Sequence, residues 1–158
     1  MERTKRYPEC FPGNFETEIL PKGAKEESRP VYRVMKSGTI DREGFISTYE
    51  EIQRGLIPPK KKLRWNRPEI YSTSCNMDYS EAQYALDMFM RHHPKAIIAK
   101  GQTEGSCGPS QLTSEREERT DTHVDWWVYQ DSEPQNFFRE VKNCLLYTSP
   151  SPRDTERS

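Results

Sequence analysis

The chain has 158 residues and carries 24 Lys and Arg against 25 Asp and Glu, a formal charge of −1 at neutral pH. That balance excludes bulk attraction to nucleic acid or to an anionic membrane surface, and no run of about 18 apolar residues is present to span a bilayer. The hydrophobic fraction is 32% and the mean hydropathy is −1.03, near the range where burial no longer offsets chain entropy, but an aromatic content of 11% supplies large apolar areas for a small core.

Residues 1–30 are rich in Pro, Gly, Lys and Glu, with apolar residues at neither helical nor strand spacing, and are expected to form a loose N-terminal arm. An α+β domain over residues 31–143 follows. Residues 31–35 (VYRVM) read as a strand ended by Ser37-Gly38, and Asp41 is suited to cap a helix carrying Phe45, Tyr49 and Ile52, with Gly55 at its C′ position. A basic loop at residues 60–67 leads to a short strand near residues 70–73. The clearest helix has Ser80 and Gln83 in a capping-box pattern, with Ala82, Ala85, Leu86 and Phe89 on one face and Pro94 as its stop.

Residues 96–99 then form a buried strand, and residues 101–121 a long polar loop. Aromatic and β-branched residues make 123–129 (HVDWWVY) a strand, after which Ser132 and Gln135 repeat the capping-box pattern ahead of a helix with Phe137, Phe138 and Val141. The order βαβαββα, without a phosphate-binding glycine loop, gives a compact α+β domain with a small mixed sheet and about three helices.

Three separated motifs carry candidate chemistry: Arg33 inside the first strand, Tyr71-Ser72-Thr73-Ser74, and Glu115-Arg116-Glu117, each about forty residues from the last. Their order and spacing resemble the R-S-E arrangement of ADP-ribosyltransferases. The resemblance implies an NAD-using enzyme in which Arg33 holds the dinucleotide phosphate and Tyr71, Ser72 and Ser74 shape the binding strand. Glu117 is then the catalytic acid, beside Glu115. The residue types suit that chemistry: a guanidinium forks onto phosphate, a hydroxyl orients its neighbours, and a carboxylate stabilises an oxocarbenium-like ribose as nicotinamide departs. In that family the Glu-x-Glu pair leads directly into a strand, whereas here it lies in a charged run several residues before His123.

The strand at 123–129 carries a second constellation. Alternation sends His123, Asp125, Trp127 and Tyr129 to one face and Val124, Trp126 and Val128 to the other. His123 and Asp125 form an alternative catalytic pair, a titrating imidazole with a carboxylate to fix its tautomer; the plainer alternative is an ordinary contact on a sheet face. Cys107, flanked by Gly105 and Gly108, suggests a Cys107/His123 nucleophile pair at most. Cys10, Cys75, Cys107, His92 and His93 show no metal-ligand spacing, so no metal site is expected. His92 and His93 are accounted for by a helix C-terminus.

Residues 144–154 (CLLYTSPSPRD) resemble the translation of a transposase adapter used in shotgun sequencing libraries. That resemblance implies a non-native tail over 144–158, a natural chain ending near Asn143, and a last helix cut short. The start lacks the apolar core of a signal peptide, so the chain reads as cytoplasmic. Two functions stand side by side: a transferase-like enzyme using NAD, and a non-catalytic module binding protein or nucleic acid through the basic loop 60–67 and the strand face of His123. The first needs Arg33, Ser72 and either Glu117 or Asp125 around one cleft; the second needs only a contiguous exposed surface.

Overall fold

A computed structural model describes residues 6–59 and 63–141. The adapter-like stretch 144–158 and residues 60–62 of the basic loop lie outside the described residues. The α+β expectation holds. Eight elements carry the architecture: β1 (Pro30–Met35), α1 (Thr48–Gln53), β2 (Thr73–Asn76), α2 (Tyr79–Phe89), β3 (Ile97–Gln102), β4 (Ser110–Leu112), β5 (His123–Trp126) and β6 (Arg139–Glu140). The strands form one six-stranded sheet in the order β4-β5-β2-β1-β3-β6. Every recorded pair is antiparallel, so the sheet is not mixed.

Register sorts the side chains. Val31 and Met35 on β1, Cys75 on β2, Ala99 on β3, and Val124 and Trp126 on β5 fill one core with Phe45 and Phe138. Phe45 and Phe138 meet at 4.9 Å between ring centroids, and Trp126 donates from Nε1 to the Gly108 carbonyl at 3.0 Å, so the indole is buried without an orphaned N–H. Trp127 points into a second cluster with Phe15, Ile19, Ile70 and Tyr71, and its Nε1 donates to Pro68 O at 2.9 Å. The alternation expected along 123–129 is therefore real, and both faces are packed.

Residues 6–30 differ from the expected loose arm. Tyr7 lies near-parallel to Phe11 and edge to face with Phe15, Phe11 and Phe15 both pack their rings against Tyr71, and a π turn over Phe15–Ile19 buries Phe15 and Ile19. Lys25 then bridges to Ser110 and covers the open edge of β4. The polar composition hid a set of aromatic anchors that follow neither regular period.

Local chemistry explains the other differences. Asp41 caps only a short 3-10 turn over Arg42–Phe45, and Ser47 separately starts α1 by accepting from Glu50 N at 3.1 Å; Gly55, at φ 74°, ends it. Pro68 opens a 3-10 turn over Pro68–Tyr71, so β2 begins at Thr73 and not near residue 70. Asp78, not Ser80, caps α2. The polar stretch after Gly101 holds β4 in addition to two 3-10 turns.

Among the described residues the expected last helix does not form. Ser132 turns its hydroxyl onto Tyr129 O at 2.8 Å instead of capping, only a 3-10 turn over Pro134–Phe137 forms, and the chain extends at Phe138 into β6 on the edge of β3. Burial of Phe138 against Phe45 and Trp126 outweighs the weak helical signal. Among the described residues no helix is long and apolar enough to cross a membrane.

Candidate functional site

The three strands β5, β2 and β1 are consecutive neighbours in the sheet, and this places Arg33, Ser72 to Ser74 and His123 to Asp125 side by side. Ser74 is opposite Asp125 and Asn76 opposite His123, while Tyr32 is opposite Asn76, so one face carries Tyr32, Ser74, Asn76, His123 and Asp125, and Arg33, Thr73 and Val124 fall on the other. The β1–β2 ladder is recorded at that single Tyr32–Asn76 pair, after which the strands part. Arg33 fills the gap. Its Nε donates to Gly44 O at 2.9 Å and its Nη1 to Ser74 O at 2.7 Å, with the Phe45 ring 5.9 Å away. One guanidinium thus ties a β2 carbonyl, that of Ser74, to the carbonyl of Gly44 in the turn after β1.

The parted strands open a cleft of about 430 Å³ between the sheet and α2. Arg33, Ser72, Ser74 and His123 all line it, joined by Tyr32, Asn76, Lys36 and Glu51, and by an apolar wall of Ile46, Ile57, Ala85 and Phe89. Burial pushes the Arg33 pKa down, with Cys75 and Glu51 opposing. Among the described residues Arg33 makes no ion pair. Lys36 and Glu51 are bonded to each other at 2.8 Å.

Behind the cleft wall, Asp125 is fully buried and satisfied by three donors: Ser72 Oγ at 2.8 Å, Thr113 Oγ1 at 2.8 Å and Arg116 Nη2 at 2.9 Å. Thr113 Oγ1 also lies 2.6 Å from His123 Nδ1. His123 is mostly buried, and desolvation pushes its pKa below the ordinary imidazole value; Arg119 and Arg116 act in the same direction, while Asp125 and Asp121 oppose. Burial thus favours the neutral imidazole over the charged one.

Not every expected residue reaches this cleft. Glu115 ends the 3-10 turn after β4, exposed, and accepts from Gln111 at 3.5 Å. Glu117 is held by Arg67 at 3.4 Å and Arg119 at 3.6 Å, outside the cleft lining. Strand β4, unseen in sequence, carries this segment to the far side of β5 from Arg33. Tyr71 is turned away too: it is buried in the second core cluster and donates to Trp65 O at 2.5 Å. Cys107 packs in the first core, and His92 and His93 lie beyond the end of α2. Among the described residues no group of three His, Cys, Asp or Glu is placed to hold a metal ion.

Comparison with protein-family models, curated proteins and solved structures finds no match for this chain. Sequence reading passed over Thr113, Arg116 and the Lys36–Glu51 pair. No local pattern marks Thr113, because its partners lie ten and twelve residues away across a loop.

Proposed function

We propose that the cleft binds NAD and transfers its ADP-ribosyl group to an acceptor. The observation that carries this reading is the convergence of Arg33, Ser72 and the His123–Asp125 wall on one cleft from three adjacent strands. Arg33, half-buried and, among the described residues, without a carboxylate partner, is a standing positive charge suited to the dinucleotide's diphosphate. Lys36 beside it is paired with Glu51, which leaves the Arg33 charge the uncompensated one. The apolar wall of Ile46, Ile57 and Phe89 offers a flat ring its contact surface, and Ser74 offers a hydroxyl to a ribose, while Ser72, its proton given to Asp125, can only accept.

Asp125 serves this site from behind. Its bond from Ser72 Oγ fixes that hydroxyl, and its pairing with Arg116 keeps the wall neutral in sum. Glu115 and Glu117, assigned to the reacting ribose by the sequence resemblance, have no part in this version of the site. Titration calorimetry with NAD, and release of nicotinamide over time, test it. Binding that is lost in Arg33→Gln with the fold retained is expected. A folded wild-type protein that neither binds nor cleaves NAD overturns the reading.

A further inference from the structure

The bonds around Thr113 fix the direction of a proton chain. Asp125, paired with the Arg116 guanidinium, can only accept, so the 2.8 Å contact from Thr113 Oγ1 uses the one hydroxyl proton that Thr113 has. The same oxygen lies 2.6 Å from His123 Nδ1 and can then only accept there. Nδ1 must carry the imidazole proton. The other ring nitrogen, Nε2, is left bare on a side chain that lines the cleft.

We infer that His123 is the general base of this site, presented as a fixed Nδ1–H tautomer by Thr113, and that the acceptor it serves is a hydroxyl: water or an alcohol side chain or sugar. The inference rests on the NAD reading. Proton accounting favours it. When the C1′–N bond of NAD breaks, the bonding pair stays on nitrogen and nicotinamide leaves as a neutral molecule, so no acid is needed. The proton in excess is on the attacking O–H, which forms the new C1′–O bond and passes its proton to Nε2; the imidazolium then releases it to solvent. Asp125 steadies that imidazolium from 4.0 Å through the intervening Thr113.

Charges facing the ring come from several elements. Asp125 lies on its own strand, Arg116, Arg119 and Asp121 on the preceding loop, and Arg33, Lys36 and Glu51 across the cleft. Asn76, its register partner, is held by Glu81 of α2 at 3.0 Å. None of these offers Nδ1 a nearer acceptor than Thr113.

Nitrogen-15 NMR of the three histidine rings, with assignment by His123→Gln, reads the tautomer without any substrate. At pH 7.5 His123 is expected to show a protonated Nδ1 and an acceptor-type Nε2, and Thr113→Val to abolish that preference while Thr113→Ser restores it. The pH profile of NAD cleavage should rise along a single acid limb and then level. His123→Gln removes the limb and lowers the plateau by about 10²–10⁴-fold. A dominant Nε2–H tautomer in a protein that cleaves NAD overturns the base assignment alone. The Nδ1–H tautomer in a protein that does not bind or cleave NAD overturns the NAD reading, and the acceptor class with it.

Discussion

Ser72 and Asp125 are joined by a 2.8 Å hydrogen bond between the residue just ahead of β2 and the middle of β5, inside the wall that separates the cleft from the protein interior. The bond couples fold to site, since the same carboxylate takes Thr113 and Arg116. Replacing Asp125 by Asn removes the charge that Arg116 faces and sets an amide donor against either the Ser72 hydroxyl or the Thr113 hydroxyl with Arg116, which bond different carboxylate oxygens. The expected loss is about 3–5 kcal/mol, the usual cost of breaking a buried pair from one side. It is read as a lowered urea midpoint at unchanged slope.

Arg33→Lys keeps a positive charge but not the fork. A single ammonium cannot reproduce the separate bonds to Gly44 O and Ser74 O from one planar group, so one carbonyl at the split loses its partner. A destabilisation of about 1–3 kcal/mol follows from the unsatisfied acceptor. NAD affinity should fall as well. Denaturant titration and calorimetry on the same variant separate the two effects, and unaltered stability would show that the fork does not hold the parted strands.

Glu117→Gln and His123→Gln discriminate between the sequence resemblance and the structural site. Glu117 is bound among Arg67, Arg116 and Arg119 and does not touch the cleft, so its amide variant should cleave NAD at the wild-type rate within a factor of about two. His123→Gln should be slower by orders of magnitude. The reverse ranking in nicotinamide-release assays would return the acid to Glu117.

Period and punctuation carried the readable part of this fold. Residues 31–35, 79–89 and 123–129 have strong alternation or a helical stripe, and all three form the expected element type, although the strand expected to Tyr129 ends at Trp126. What failed was decided by long-range partners. Phe138 is drawn into extended backbone by Phe45 and Trp126, and β4 is a strand because Lys25 and β5 pair with it, not because Ser-Gln-Leu favours one. The site divides in the same way. Arg33, Ser72 and His123 were visible as residue types on strands, whereas the displacement of Glu115 and Glu117 depends on the unseen β4, and Thr113 became meaningful only beside two partners on β5.

Phe15 tests the N-terminal segment. It is buried against Tyr7, Phe11 and Tyr71, although the surrounding sequence reads as a loose arm. Phe15→Ala should cost about 3–5 kcal/mol, as for a large aromatic removed from a packed core. Thermal or urea unfolding gives the number. A loss below about 0.5 kcal/mol, typical of surface positions, would mean that residues 6–30 do not belong to the cooperative unit.

Stability should decline on both sides of neutrality, for groups whose signs are opposite in charge but alike in cause. Burial lowers the His123 pKa, so folding favours its neutral form; this contribution is complete above the unfolded value of about 6.5 and is lost as pH falls through the lower folded value. Burial also pushes the Cys75 thiol up to about 12, with Arg33 opposing and Asp125 reinforcing, and the Tyr71 phenol up to about 12, with Tyr49 and Cys10 reinforcing. Here folding again favours the uncharged form, but the contribution is complete below the unfolded pKa, 9.0 for the thiol and 10.0 for the phenol, and drains away up to about 12. The urea midpoint should accordingly be level between about pH 7 and 9, fall gently toward acid and fall steeply above pH 10. His123→Gln should flatten the acid side alone, and Cys75→Ala should delay the start of the alkaline fall. A tyrosinate absorbance step near pH 10 that is smaller by one phenol in Tyr71→Phe than in the wild type would place the Tyr71 phenol in solvent and contradict its packing against Phe15 and Tyr49.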